Sequence, residues 1–192
     1  MAFKKEFKAD KPYSNVWGKL YLTPKQRKNI LKWTLYGALL LILSLLQDVV
    51  LCRFRVFGAT TELVPVGIFV ICLLEGAESG CIFALVSSLM YLFSGTAAGP
   101  YCVPFITILA IAVTILRQAY MQKGLGAAIL CVMLAMFGYE LLVFAMGLFL
   151  KLTIVSRFGG FMMTAAMSCV LIPILYPVVL SIETIGGETW KE

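Results

Sequence analysis

A chain of 192 residues that is 61% hydrophobic and 14% charged, with a net charge of +6 and a mean hydropathy of +0.94, carries too much apolar surface for a water-facing fold of its size. Soluble domains hold roughly 45–50% apolar and about 25% charged residues. The composition therefore excludes an ordinary soluble enzyme or carrier and points to a bilayer as the solvent. The length fits about one domain.

The charge is concentrated. Lys4, Lys5, Lys8, Lys11, Lys19, Lys25, Arg27, Lys28 and Lys32 all precede Trp33. Basic residues at the doorstep of an apolar helix favour an anionic lipid surface over nucleic acid as the partner. Residues 1–31 interleave these cations with Phe, Tyr and Trp, as an interfacial or positive-inside segment does, and Pro12, Gly18 and Pro24 interrupt any long helix there.

In chain order, six apolar segments follow, together forming a transmembrane domain over residues 32–183. The first runs from Trp33 to Leu51, and Gln47 and Asp48 near its outer end either bond to the backbone or side chains of a neighbouring helix or stay wet at the membrane boundary, the latter favoured for Asp48. The second, Glu62 to Leu74, begins with Pro65 close to its start, and the third covers Ser79 to Phe93. Both are short for a hydrocarbon core of about 30 Å at 1.5 Å per residue, so they either extend into flanking residues or form a hairpin that does not fully cross. Glu75 and Glu78 flank Gly76 between them and read as solvated turn residues. Gly76 and Gly80 (GAESG), and Gly95 and Gly99 (GTAAG), are small-xxx-small steps at segment ends, where close packing and turn geometry explain them equally well.

The loop Ser94 to Pro100 leads to the fourth segment, Tyr101 to Leu116, and the basic loop Arg117 to Gly124 to the fifth, Leu125 to Leu150. The sixth, Phe161 to Ile182, is kinked by Pro173 and Pro177. Residues 184–192 form a short polar tail. With both termini in the cytoplasm, the inner side holds twelve Lys and Arg, and the outer side only Arg53, Arg55, Lys151 and Arg157. The positive-inside rule therefore favours an all-α integral membrane protein of six spans in that orientation.

Glu140 is the sharpest chemical feature. It lies about ten residues inside the fifth segment, or ~15 Å from its end, where a lone charge costs several kcal/mol unless neutralised or paired. Thr107, Thr114, Thr164 and Ser168 are candidate hydrogen-bond partners. A polar tie between helices is the expected role, because one carboxylate without a base, nucleophile or metal is no active site. There is no histidine, and the six cysteines form no CxxC pair, which argues against zinc or iron–sulfur. No P-loop, GxSxG, HExxH or dinucleotide fingerprint occurs. No enzyme activity and no cofactor are expected.

Several stretches together resemble a known family. Leu45 to Gln47 (LLQ) ends the first segment, SSLMYLFSGTAAG closes the third, ELLVF surrounds Glu140, and VLIPILYP spans Val170 to Pro177. This pattern is similar to the rod shape-determining protein MreD family, whose third span ends in a Ser-Gly-xxx-Gly signature, here Ser94, Gly95 and Gly99. Tyr91 stands where that family usually carries Asp, and Thr61 and Glu62 stand where it carries Pro-Asp. The resemblance covers Leu45 to Ile182. It implies a non-enzymatic scaffold subunit of the bacterial cell-elongation machinery in the plasma membrane. Such a subunit would bind the single-span protein MreC, and act with RodA, a class B penicillin-binding protein and MreB in lateral peptidoglycan synthesis. Gln47, Ser94, Gly95, Gly99, Glu140 and Pro173 are the residues expected to pack helices or bind partners. The family is similar in fold to the six-helix S components of energy-coupling-factor vitamin transporters. Substrate binding of that kind is the alternative function, and only there is a small-molecule ligand expected; the alanine-rich AxxxA pattern of their coupling helix is missing from YGALLLILSLL.

Overall fold

The computed structural model describes residues 24–53, 59–120 and 125–185. The tail segment before Pro24, Arg55, Lys123 and the carboxy-terminal residues from 186 onward lie outside them. Among the described residues the fold is entirely helical: α1 (Pro24–Val49), α2 (Leu63–Glu75), α3 (Ala77–Phe93), α4 (Cys102–Tyr120), α5 (Leu125–Phe149), α6 (Phe158–Cys169) and α7 (Ile172–Ile185). Pro24 does not break a helix but opens one. It occupies the first position, where its missing N–H has no intrahelical partner to lose.

The centre of the bundle is α2. Every residue from Leu63 to Leu74 is buried, and α1, α3, α4, α5, α6 and α7 all pack against it. A helix that is apolar on all sides belongs in a core. Its 13 residues rise only ~20 Å, less than a bilayer, and the surrounding helices remove the need for it to meet lipid at either end. Its amino-terminal donors are closed without water. The Glu62 N–H donates to Ser168 Oγ (2.9 Å) on α6, and the Leu63 and Val64 N–H groups donate to Gln47 Oε1 (2.8 and 2.9 Å) on α1. The fourth position is Pro65, which has no N–H to satisfy.

At the other end of α2, Gly76 turns the chain with φ 88°, a conformation a side chain resists. One turn later Gly80 lets α3 lie against α2. A Cβ there would stand 3.2 Å from the Cys72 carbonyl oxygen and 3.3 Å from its Cα. The two explanations offered by the sequence thus divide, Gly76 being a turn glycine and Gly80 a packing glycine.

Among the described residues, two helical stretches are long and apolar enough to cross a membrane, Gln26–Arg53 (28 residues) and Leu125–Phe149 (25 residues). The sixth apolar segment is two helices, α6 and α7, bent by 46° and counting as a third crossing if taken together. The break falls at Val170 and Leu171, ahead of Pro173, which lacks the N–H that would continue the α6 ladder. Pro177 sits inside α7. The helices Leu63–Glu75, Ala77–Phe93 and Cys102–Arg117 are apolar but shorter. Helices of this length and composition mark a membrane protein.

Candidate functional site

Buried polar groups gather at the two ends of α2. The first cluster lies near the start of α1. Lys32 Nζ stands 2.7 Å from Glu75 Oε1, with both side chains under 10% exposed, and the Tyr36 hydroxyl donates to the same carboxylate oxygen at 2.6 Å. The rings of Trp33, Tyr36 and Phe83 pack on one another, with centroids 5.6–6.0 Å apart. Glu183 of α7 faces Lys32, Glu75 and Arg117 of α4. This corrects two expectations. Glu75 is not a solvated turn residue, because the α2–α3 turn begins only after it. Lys32 is not part of an exposed basic tail, because α1 carries it into the bundle. Glu78, one turn further on, is exposed as expected.

The second cluster lies at the Gln47 end. Tyr91 (α3), Tyr139 and Glu140 (α5) are buried to 2% exposure or less. Glu62 keeps part of its surface exposed, yet its Oε2 is sealed from solvent. That oxygen, the hydroxyls of Tyr91 and Tyr139, and Glu140 Oε1 are all buried without a hydrogen-bond partner. These groups nevertheless face one another. Glu62 is opposed by both tyrosine hydroxyls and by the Glu140 carboxyl, Gln47 faces Tyr91, and Cys102 of α4 faces Tyr139. Residues of four helices, α1, α3, α4 and α5, and the residue ahead of α2 meet here.

The candidate partners for Glu140 turn out to be otherwise engaged or absent. Thr107, Thr114 and Ser168 donate to carbonyls of their own helices at 2.7–2.9 Å. Nothing from Thr164 reaches Glu140 Oε1. A hydroxyl in a helix has its own i−3 or i−4 carbonyl within easy reach, so such hydroxyls are poor partners across helices.

The other sequence candidates fall elsewhere. Gln47 is the buried cap of α2. Ser94 ends α3, its Oγ donating to the Tyr91 carbonyl (2.8 Å) and sharing a hydrogen bond with Thr96 Oγ1 (2.9 Å). Gly95 follows with φ 80°, and Gly99 closes the same loop against the Tyr101 ring. Pro173 stands in the first turn of α7. Glu62 and Tyr91 stood out in the sequence only as departures from the MreD-like pattern, and Tyr139 did not stand out at all. The adjacent Tyr-Glu pair at 139–140 was the available signal.

A third feature faces outward. Gly126, Ile129, Leu130, Met133, Leu134 and Phe137 line an open apolar groove of about 570 Å³ along one face of α5. Leu130 and Leu134 are among the exposed apolar side chains, and Gly126 has open space at its Cβ position.

The fold and these sites define a helical membrane protein with polar ties between its helices. No family model, curated protein or solved structure matches the chain.

Proposed function

We propose that this chain is a non-enzymatic scaffold subunit of the bacterial cell-elongation machinery. In this reading it spans the plasma membrane six times with both termini in the cytoplasm. It binds a single-span, MreC-like protein, and through it works with RodA, a class B penicillin-binding protein and MreB. The MreD-like stretches and the distribution of Lys and Arg support it. The observation that carries it is the groove on α5. Its lining residues recur at helical spacing from Gly126 to Phe137, a rise of ~16 Å, which suits the side of one partner helix. In lipid such docking rests on van der Waals fit and on small residues that admit a second backbone, and Gly126 supplies one.

The test is affinity purification of the full chain from native bacterial membranes. Recovery of a single-span protein with a periplasmic soluble part is the expected result; recovery of transporter ATPases instead would overturn the scaffold reading. The second reading, a solute-binding transporter subunit, draws support from the convergence of Glu62, Tyr91, Tyr139 and Glu140, since ligand sites in membrane bundles gather buried polar groups from several helices.

A further inference from the structure

The segment between α5 and α6, residues 151–157, is short and tied down at both ends. Lys151 takes φ 56°, the left-handed conformation that ends many helices, and the N–H groups of Leu152 and Thr153 both donate to the Gly147 carbonyl (2.8 and 3.3 Å). The Thr153 methyl lies 3.0 Å from where a Cβ on Gly147 would stand, so the loop folds back on the last turns of α5. At its far end the Arg157 N–H donates to the Ile154 carbonyl (3.0 Å), closing a single tight helical turn over Val155–Arg157. Phe158 and Phe161 of α6 then pack on Phe144 of α5, with ring centroids 5.2 and 5.4 Å away.

This fixed backbone presents its apolar side chains outward. Leu152, Ile154 and Val155 are 70%, 65% and 71% exposed, and Phe149 at the end of α5 extends the same kind of surface. Contiguous apolar surface of this sort marks a contact with a protein or a membrane. Two observations select the membrane. The loop begins where the membrane-crossing stretch Leu125–Phe149 ends, which puts it at the boundary of the bilayer. Its two ends carry the exposed cations Lys151 and Arg157, and no acidic residue occurs from Leu150 to Phe161. Apolar side chains flanked by cations match the layer where acyl chains give way to phosphate.

We propose that residues 151–157 are an interfacial anchor that binds anionic lipid. Leu152, Ile154 and Val155 lie among the upper acyl chains, and Lys151 and Arg157 lie on the headgroup phosphates. Because the loop is tied to Gly147 and Phe144, the anchor fixes how deep α5 sits in the bilayer. The inference goes beyond the scaffold reading and does not depend on which partner occupies the outer face of α5.

The experiment places a tryptophan in the loop of the full-length protein, as Val155→Trp and separately as Leu152→Trp, both at exposed positions. The purified variants are reconstituted into vesicles of phosphatidylcholine and phosphatidylglycerol, and the wild type's own tryptophan signal is subtracted. Either lipid is supplied with bromine near the top of its acyl chains, and iodide serves as the aqueous quencher on both sides. The added tryptophan is expected to be quenched by the brominated lipids and shielded from iodide. Quenching should be at least roughly twofold stronger when the brominated lipid is phosphatidylglycerol, because the cations draw anionic headgroups to the loop. Lys151→Gln together with Arg157→Gln should abolish that preference and leave the acyl-chain quenching in place. Thermal unfolding in detergent shows whether each variant is folded, and the two tryptophan positions serve as independent reporters. Quenching by iodide without quenching by brominated lipid would place the loop in water and overturn the proposal. Shielding from both would show a protein contact and overturn it as well. So would equal quenching by the two lipids while Lys151 and Arg157 are present, or a preference that survives their joint substitution in folded protein.

Discussion

Lys32→Met is expected to lower the unfolding free energy by about 3–5 kcal/mol, the usual cost of removing one partner from a buried ion pair. The physical reason lies in what remains. Glu75 would keep the Tyr36 hydroxyl at 2.6 Å but lose the ammonium at 2.7 Å, leaving a carboxylate on a side chain only 6% exposed. Lys32→Met combined with Glu75→Gln should recover most of the loss, because an uncharged amide can still accept the tyrosine proton. The measurement is a double-mutant cycle on unfolding in mixed micelles, where coupling between the two positions is the quantity of interest. A Lys32→Met loss below about 1 kcal/mol, the range of exposed pairs, would show that the pair is solvated.

Gln47→Leu should have an effect of similar size for a different reason. It removes the single oxygen that accepts both the Leu63 and Val64 N–H groups. Each donor left unsatisfied in a buried site costs roughly 1–3 kcal/mol. Leucine is of similar size and offers no acceptor, so the loss reports chiefly the hydrogen bonds. Faster amide hydrogen exchange at Leu63 and Val64, with little change at the carboxy-terminal half of α2, would locate the damage. Unchanged exchange at both amides would mean that another group caps the helix.

The apolar segments were legible in the sequence because a run of buried or lipid-facing side chains announces itself in composition. The boundaries of α3, α4 and α5 lie within a few residues of those expected. The polar clusters were much less legible. Glu75 follows the second apolar run, and a charged residue at a segment end reads as solvated; only the packing of α1 against α2 brings Lys32 and Tyr36 onto it. Lys32 looked like one more cation of a basic tail, because nothing local distinguishes it from Lys28. Tyr91 and Tyr139 are ordinary membrane-helix residues until three dimensions bring their hydroxyls to Glu62. Gln47 was legible as a residue able to bond to the backbone of a neighbouring helix, but which helix end it caps is a long-range contact no local pattern encodes. The centrality of α2 belongs in the same class, since its shortness suggested an incomplete crossing and the fold uses it as a core.

In the proposed scaffold the α5 groove seats a partner helix, and one measurement tests this directly. A photo-crosslinking residue is placed at Leu134, in the groove, and separately at Ile108, an exposed apolar position on α4, in cells that express the full chain. The scaffold reading predicts a crosslink from position 134, absent from position 108, to a single-span protein with a periplasmic domain identified by mass spectrometry. Crosslinks to lipid alone from position 134, or the same protein captured equally from both positions, would contradict it.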